Sequence, residues 1–103
     1  MPAAFFAVRS TVADPAKRAA FDKRYQDDFG PDVVKSPRVK KAWRFWSLTD
    51  PAVHQAFYPF DDETALDRAM NEEVPRLIDM FVRDWPGVPR VRETFVLAQE
   101  FGA

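Results

Sequence analysis

The sequence lacks cysteine altogether and contains only one histidine and three glycines among 103 residues. Without cysteine, a disulfide framework, a thiolate nucleophile and the common zinc spacings are excluded. The scattered glycines cannot assemble a phosphate-cradling loop or a dinucleotide-binding fingerprint. We therefore predict no cofactor and no metal; haem retains a single candidate ligand, His54, and a carboxylate-rich magnesium or calcium site stays open.

Neither sign of charge dominates, and long apolar runs are also missing. Fifteen basic and 16 acidic residues give a net charge of -1, and "MPAAFFAVRS" has neither the length of a membrane span nor the charged start of a secretory signal. A basic cluster does follow the first predicted helix, namely Lys35, Arg38, Lys40, Lys41 and Arg44. In a nearly neutral chain such a run favours a solvated edge over a nucleic-acid surface. We predict a cytoplasmic protein with no nucleic-acid or membrane partner.

What the chain has in quantity is apolar and aromatic side chains, at 47% and 15% of its residues. That composition predicts one globular domain over residues 1–103. A domain of this size buries only ~60–70% of the surface that its unfolded chain exposes, so a partner subunit is an expected source of stability.

The apolar pattern predicts secondary structure in the order β-α-β-β-α-β. The predicted strands are Ala3–Val8, Val39–Leu48, Val53–Phe60 and Val91–Phe101, and the middle two form a hairpin around "TDPA". Asp14 and Pro15 mark the start of a helix that runs to Asp28 before Gly30, with Phe21, Tyr25 and Phe29 on one face.

A second helical segment carries an apolar stripe from Leu66 to Trp85. The acidic residues Asp61, Asp62 and Glu63 suit its N-terminus. Pro75 should break or kink this segment, because proline lacks a backbone donor and disfavours a helical residue before it.

This order is the split βαβ pattern of ferredoxin-like α+β domains, in which helices cover one face of a four-stranded antiparallel sheet. Alternation places Trp43 and Phe45 on one face, and Arg44, Trp46 and Leu48 on the other. Both faces are therefore apolar. Because one layer of helices covers only one of them, we predict a homodimer through the other face.

The element order, the helix "DPAKRAAFDKRYQDDFGPDV", the hairpin "AWRFWSLTDPAVHQAFYPF" and the split second helix resemble the dimeric α/β-barrel superfamily. Within it, the chain is most similar in appearance to small proteins of the ethyl tert-butyl ether degradation group. The resemblance implies two ferredoxin-like protomers paired sheet to sheet. Members include cofactor-free oxygenases, polyketide cyclases, haem-handling proteins and lactone isomerases, so it implies a fold more than a reaction.

Two residues are candidates for catalysis. His54 can act as a general acid or base near neutral pH, or else cap the hairpin turn or hydrogen-bond inside the fold. Arg44 can anchor or polarise a ligand oxygen, or else form a salt bridge with a strand neighbour.

Four aromatic residues are candidates for ligand binding, with packing in the core or dimer as the alternative: Tyr25, Trp43, Phe45 and Trp46. The prediction is a dimer that binds a small apolar or aromatic organic molecule in a cavity between sheet and helices. Catalysis as a cofactor-independent oxygenase, isomerase or cyclase stays open, and the alternative is a non-catalytic binding or stress-related dimer with no enclosed active site.

Overall fold

A four-stranded antiparallel sheet with helices against one face forms the predicted ferredoxin-like arrangement. The computed structural model describes residues 2–29, 31, 34–35 and 39–102, except for the side chains of residues 28 and 29. The elements in chain order are β1 (Ala4–Thr11), α1 (Pro15–Arg24), a π-helical turn (Tyr25–Phe29), β2 (Trp43–Trp46), β3 (Val53–Phe60), α2 (Glu63–Glu72), α3 (Val74–Asp84) and β4 (Arg90–Val96). The strand order is β2-β3-β1-β4. The predicted helix stop at Gly30, the side chain of Phe29 and the basic residue Arg38 lie outside the described residues.

The first helix begins where its sequence predicts. The Asp14 carboxylate accepts a hydrogen bond from the backbone N–H of Ala16 at 3.0 Å, and Pro15 opens the helix. Regular α-helix ends at Arg24, and the chain then continues as a π-helical turn to Phe29, instead of remaining α-helical to Asp28. Single π-helical turns are frequent at functional sites, so this segment draws attention to Tyr25.

The predicted break near Pro75 is confirmed. Asp62 caps α2 by accepting from the N–H of Ala65 at 2.8 Å, and α2 ends at Glu72. A new helix begins at Val74, which leaves Glu73 as the junction. Beyond the junction, Val74, Leu77 and Phe81 are buried and Ile78 is half-buried.

The first strand of the hairpin is shorter than predicted. It occupies Trp43–Trp46 instead of Val39–Leu48, because the Ser47 hydroxyl accepts from the backbone N–H groups of Thr49 and Asp50 and so begins the turn. The placement of Leu48 beside Trp46 on one face is therefore wrong. Leu48 lies in the turn and is fully exposed.

The ends of β1 and β4, the two strands at the other side of the sheet, also differ from the prediction, and one cause explains both. β1 extends to Thr11 instead of stopping at Val8, since Arg9 and Ser10 pair with both neighbouring strands. β4 stops at Val96 instead of reaching Phe101, because its pairing with β1 ends where β1 begins. Pairing partners, and not local pattern, set these ends.

The two faces of the sheet divide as the alternation predicts. The face under the helices contributes to a core that contains Ala4, Phe6, Val8, Ala56, Tyr58 and Phe60 from the strands and Phe21, Tyr25, Leu66, Ala69, Val74, Leu77 and Phe81 from the helical segments. The opposite side, here called the open face, carries Phe5, Ala7, Arg9, Trp43, Phe45, Gln55, Phe57, Val91, Glu93 and Phe95. No described helix packs on the open face.

Candidate functional site

Two spaces meet at a pair of tyrosines, Tyr25 and Tyr58. The first, here called the outer pocket, has a volume of about 230 Å³ and is lined by Tyr25, Gln26, Pro31, Val34, Ala42, Trp43, Arg44, Ala56 and Tyr58. The second, the inner cavity, lies between sheet and helices, has a volume of about 30 Å³ and is lined by Phe6, Val8, Tyr25, Val39, Tyr58, Phe60, Val74, Leu77, Ile78, Phe81, Arg90 and Arg92. A cavity of ~150 Å³ holds benzene and one water needs ~10–15 Å³. The outer pocket can therefore take an aromatic ring, and the inner cavity about two waters.

The two tyrosines form the wall between these spaces. Both are buried, and a hydrogen bond joins their hydroxyl groups. Burial raises the pKa of Tyr58 to about 12, and burial together with Tyr58 raises the pKa of Tyr25 well above its ordinary value of 10. Both phenols stay protonated at neutral pH. The bond between them uses one O–H, so the wall supplies one hydrogen-bond donor and no base.

Arg44 enters the outer pocket from β2 and is held from α1. Its Nη1 donates to the Asp22 carboxylate at 2.7 Å, and its Nη2 donates to the Asp22 backbone carbonyl at 3.4 Å. The same carboxylate oxygen accepts from Trp46 Nε1 at 2.8 Å. The Trp46 bond first, and Arg44 second, hold the pKa of Asp22 below its usual value. The salt bridge is thus to a helix residue, whereas the sequence favoured a strand neighbour.

A guanidinium group has five N–H donors, more than Asp22 takes up. Arg44 also stands 5.7 Å from the centroid of the Tyr25 ring, in cation–π range. The residue is therefore positioned by three groups and still has donors for a ligand oxygen.

His54 lies inside the aromatic core instead of on the wall of either space. It is 0% exposed, and its ring centroid stands 4.6 Å from that of Tyr25 and 5.1 Å from those of Phe21 and Trp46. Neither ring nitrogen has a hydrogen-bond partner among the described residues, so the anticipated capping or internal bond is not present there. Burial first, and Arg44 second, lower the pKa of His54 from 6.5 to about 4. The imidazole is neutral at pH 7.

The three aromatic residues of β2 go to different places. Phe45 lies on the open face, with its ring 5.8 Å from Phe57. Trp46 packs in the core, 5.9 Å from Phe21. Trp43 belongs to the open face by its register, yet it also lines the outer pocket, because β2 is an edge strand and the pocket curves around that edge. The structure thus brings together Tyr25, Trp43 and Arg44 of the predicted set.

Two arginines that the sequence did not single out line the inner cavity. Arg90 and Arg92 share the helix side of β4, and the guanidinium carbon of Arg90 stands 4.1 Å from the centre of the Phe81 ring. Burial first, and Arg92 second, lower the pKa of Arg90. Neither arginine has a carboxylate partner among the described residues. The cavity rim is therefore positively charged.

Other contributors missed from the sequence are Tyr58 and Asp22. Tyr58 alternates with Phe57 in β3, and a residue with a polar tip among the apolar residues of a strand is the signal that could have revealed it. Asp22 reads as one of several solvated charges on α1. Its contact with Arg44 crosses 22 positions, and no local pattern encodes that contact.

Three described members of the basic cluster each contact a different residue. Lys40 pairs with Asp61 at 3.7 Å, the Lys41 ammonium stands 4.8 Å from the Trp43 ring centroid, and Arg44 is occupied as above. That no nucleic acid binds here stays a prediction.

The described residues offer neither a cluster of metal ligands nor a membrane-spanning helix. Among residues 2–29, 31, 34–35 and 39–102, no three histidine or acidic side chains lie together as a metal site would require. None of the helices in those ranges has both the length and the apolar character needed to cross a bilayer.

The fold is ferredoxin-like, as the resemblance implied, and solved structures with a similar fold match most of the chain. A variant of SnoaB, a cofactor-independent oxygenase from Streptomyces nogalater, is similar with a TM-score of 0.72 at 15% identity over 98% of both chains. A Bacillus halodurans protein of the ethyl tert-butyl ether degradation family has a TM-score of 0.64 at 17% identity, covering 90% of this chain and 97% of its own. A dimeric ferredoxin-like protein from an uncultured marine organism has a TM-score of 0.67 at 10% identity, covering 98% and 100%.

Sequence comparisons add nothing to this: no family model matches the chain, and no curated protein does. At these identities the similar structures define the fold alone.

Proposed function

We propose that this chain is a homodimeric protein that binds a small, flat, mainly apolar organic molecule in the outer pocket. The observation that carries the proposal is the convergence of Trp43 and Arg44 from β2 with Tyr25 from the π-helical turn around a space large enough for an aromatic ring. An aromatic wall, a held guanidinium and a protonated phenol are the features of a site for an aromatic ligand that carries an oxygen.

The polar groups around the two spaces favour an electron-rich oxygen on that ligand. The hydrogen-bonded phenol pair keeps one O–H to donate at neutral pH, and the charged lining residues are Arg44 at the outer pocket and Arg90 and Arg92 at the inner cavity. No carboxylate lines either space among the described residues. Because donors and cations stabilise developing negative charge, a phenol, enol or carboxylic acid fits better than an amine.

The second candidate function is catalysis as a cofactor-independent oxygenase, isomerase or cyclase. The cationic lining, which has no carboxylate among the described residues, favours it, because it would stabilise the phenolate or enolate form of a substrate, which is the form that reacts most readily. SnoaB, which shares the fold, is a cofactor-independent oxygenase. In this chain the lining supplies no base, so the substrate would arrive ionised or lose its proton to water.

Within this proposal Arg44 and His54 take different roles. Arg44 contacts the ligand oxygen, and Asp22 positions it. His54 supports the Tyr25 ring by packing, since its nitrogens are enclosed and its pKa of about 4 leaves it neutral. Proton transfer by His54 would require the aromatic rings around it to part.

The binding proposal predicts a measurable affinity for 2-naphthoate, used as a probe in titration calorimetry. Arg44→Gln should weaken binding about tenfold or more, because a hydrogen bond to a charged group contributes ~1.5–3 kcal/mol. Tyr25→Phe should weaken it by a smaller factor, and Lys17→Gln, which removes a charge on exposed α1 surface, should leave it unchanged. Equal affinities in the parent and Arg44→Gln proteins would refute the assignment of the pocket.

Oxygen uptake separates the two candidate functions. Incubation with an anthrone, an acidic and flat aromatic ketone, would consume dioxygen in step with product absorbance if the protein is an oxygenase. Binding without uptake or any change in the compound would favour the non-catalytic reading.

The proposal of a homodimer rests on the exposed apolar side chains of the open face. Trp43, Phe45, Val91 and Phe95 are 41%, 53%, 50% and 45% exposed, which is unusual for large apolar side chains grouped on one sheet face of a soluble protein. Arg9 and Glu93 lie on the same face, so a two-fold contact can pair them across the interface. One of the similar structures is described as dimeric.

Light scattering coupled to size exclusion should therefore report about twice the chain mass of 11.9 kDa at micromolar concentration. A peak at the monomer mass would contradict the open face as a subunit interface.

A further inference from the structure

We propose that subunit association and ligand binding are thermodynamically coupled through Trp43, so that the outer pocket is complete only in the dimer. This inference rests on the proposed function, and it deepens that function by assigning the partner subunit a role in the site. The structural basis is that one indole borders both the outer pocket and an apolar hollow on the open face.

The hollow has a volume of about 300 Å³ and is lined by Phe5, Trp43, Phe57 and Phe95. One side chain comes from each of the four strands, so the hollow crosses the whole sheet. Its lining is wholly apolar. Burying such an apolar surface lowers the free energy in proportion to the area that is removed from solvent.

A second copy of this chain is the occupant that the open face fits. The described part of the face holds one cation, Arg9, two residues along β1 from Ala7, and one anion, Glu93, which pairs with Ala7 from β4. A two-fold axis can bring these unlike charges together from two identical faces. A basic or acidic partner would leave one of them opposed by a like charge.

Trp43 is weakly held in the single chain. It starts an edge strand of four residues, it is 41% exposed, and its cation–π neighbour is Lys41, whose ammonium stands 4.8 Å from the ring centroid. An exposed indole on a short edge strand keeps rotamer freedom that a packed one loses. The wall of the outer pocket that the Trp43 indole forms is therefore not held in one conformation in the single chain.

Covering the hollow would fix the indole and so fix that wall. A ligand that stacks on Trp43 would then pay less of the ordering cost in the dimer than in the monomer. By linkage the effect is reciprocal: each bound ligand must strengthen the dimer by the factor by which the dimer strengthens ligand binding at one site, and two ligands by the square of that factor. Couplings of this kind commonly amount to ~5–150-fold.

The test separates the subunits without touching the outer pocket. Phe95→Glu places a charge in the hollow from β4, away from the pocket lining, and should give a monomer in sedimentation equilibrium. We expect its affinity for 2-naphthoate to fall at least fivefold relative to the parent dimer. Leu48→Glu adds the same charge at a fully exposed turn residue and should change neither mass nor affinity.

A reciprocal measurement on the parent protein checks the linkage. Saturating 2-naphthoate fills two equivalent sites, so it should lower the dimer dissociation constant by the square of the per-site affinity factor, within error. A folded Phe95→Glu monomer that binds the probe as tightly as the parent would overturn the coupling and leave the binding site standing. Failure of the parent itself to bind would instead overturn the proposed function, and a Phe95→Glu protein that remains dimeric would overturn the interface.

Discussion

Replacing Phe21 with alanine should lower the free energy of unfolding by about 3–5 kcal/mol, the usual range for a fully buried phenylalanine. Phe21 is 0% exposed, and its ring contacts those of Tyr25, Trp46, His54, Phe81 and Trp85 at centroid distances between 5.1 and 5.9 Å. These five rings come from the π-helical turn, β2, β3, α3 and its C-terminal end. The deletion would open a cavity where all of them meet.

Urea denaturation of the Phe21→Ala and parent proteins, at one protein concentration, measures this effect. Phe21→Leu should cost clearly less, because most of the volume is kept. Leu48→Ala, at a fully exposed position, should stay within about 0.5 kcal/mol of the parent. If Phe21→Ala cost no more than Leu48→Ala, the aromatic cluster would not be the centre of the core.

Acidification should destabilise the protein between pH 6.5 and pH 4, before most carboxylates titrate. The pKa of His54 is about 4 in the folded protein against 6.5 ordinarily, so in this window the unfolded chain binds a proton that the folded chain excludes. Stability due to this group is complete above pH 6.5 and is lost as the pH falls. At 1.36 kcal/mol per pKa unit, the loss approaches about 3 kcal/mol below pH 4.

His54→Leu isolates the contribution of the imidazole. At pH 7 this variant should be about as stable as the parent, because the imidazole nitrogens that it removes have no hydrogen-bond partner among the described residues. Between pH 7 and pH 4.5 the parent should lose about 2 kcal/mol that the variant keeps. If the stability of both proteins changed equally with pH, the pKa of His54 would be the same in the folded and unfolded states, which would contradict the prediction. Fixed protein concentration matters, since association also contributes to apparent stability.

His54 shows why a candidate site is harder to predict from sequence than a fold. The sequence offers one histidine, and chemistry makes it the first candidate for proton transfer. The structure surrounds it with Phe21, Tyr25 and Trp46, which arrive from other elements. Burial depends on what packs around a residue, and neighbours distant in sequence decide that.

Tyr25 and Arg44 were picked out from the sequence without their partners. Tyr25 was a candidate for ligand binding and Arg44 for catalysis, and both line the outer pocket. Their partners, Tyr58 and Asp22, were not identified, because each contact joins segments that are more than 20 positions apart. A residue type can be recognised locally, but its hydrogen-bond partner cannot.

The sequence by itself determined the element order, the caps at Asp14 and Asp62, the break before Pro75 and the division of β2 between two faces. These features depend on local chemistry: a carboxylate near free N–H groups, the missing donor of proline, and the two-residue period of a strand. Only the tertiary structure decided where β1 and β4 end, that His54 is enclosed, and that Trp43 borders two spaces. Those outcomes depend on register and on packing between distant segments, because a strand extends as far as its partner does and an edge residue reaches whatever lies beside the edge.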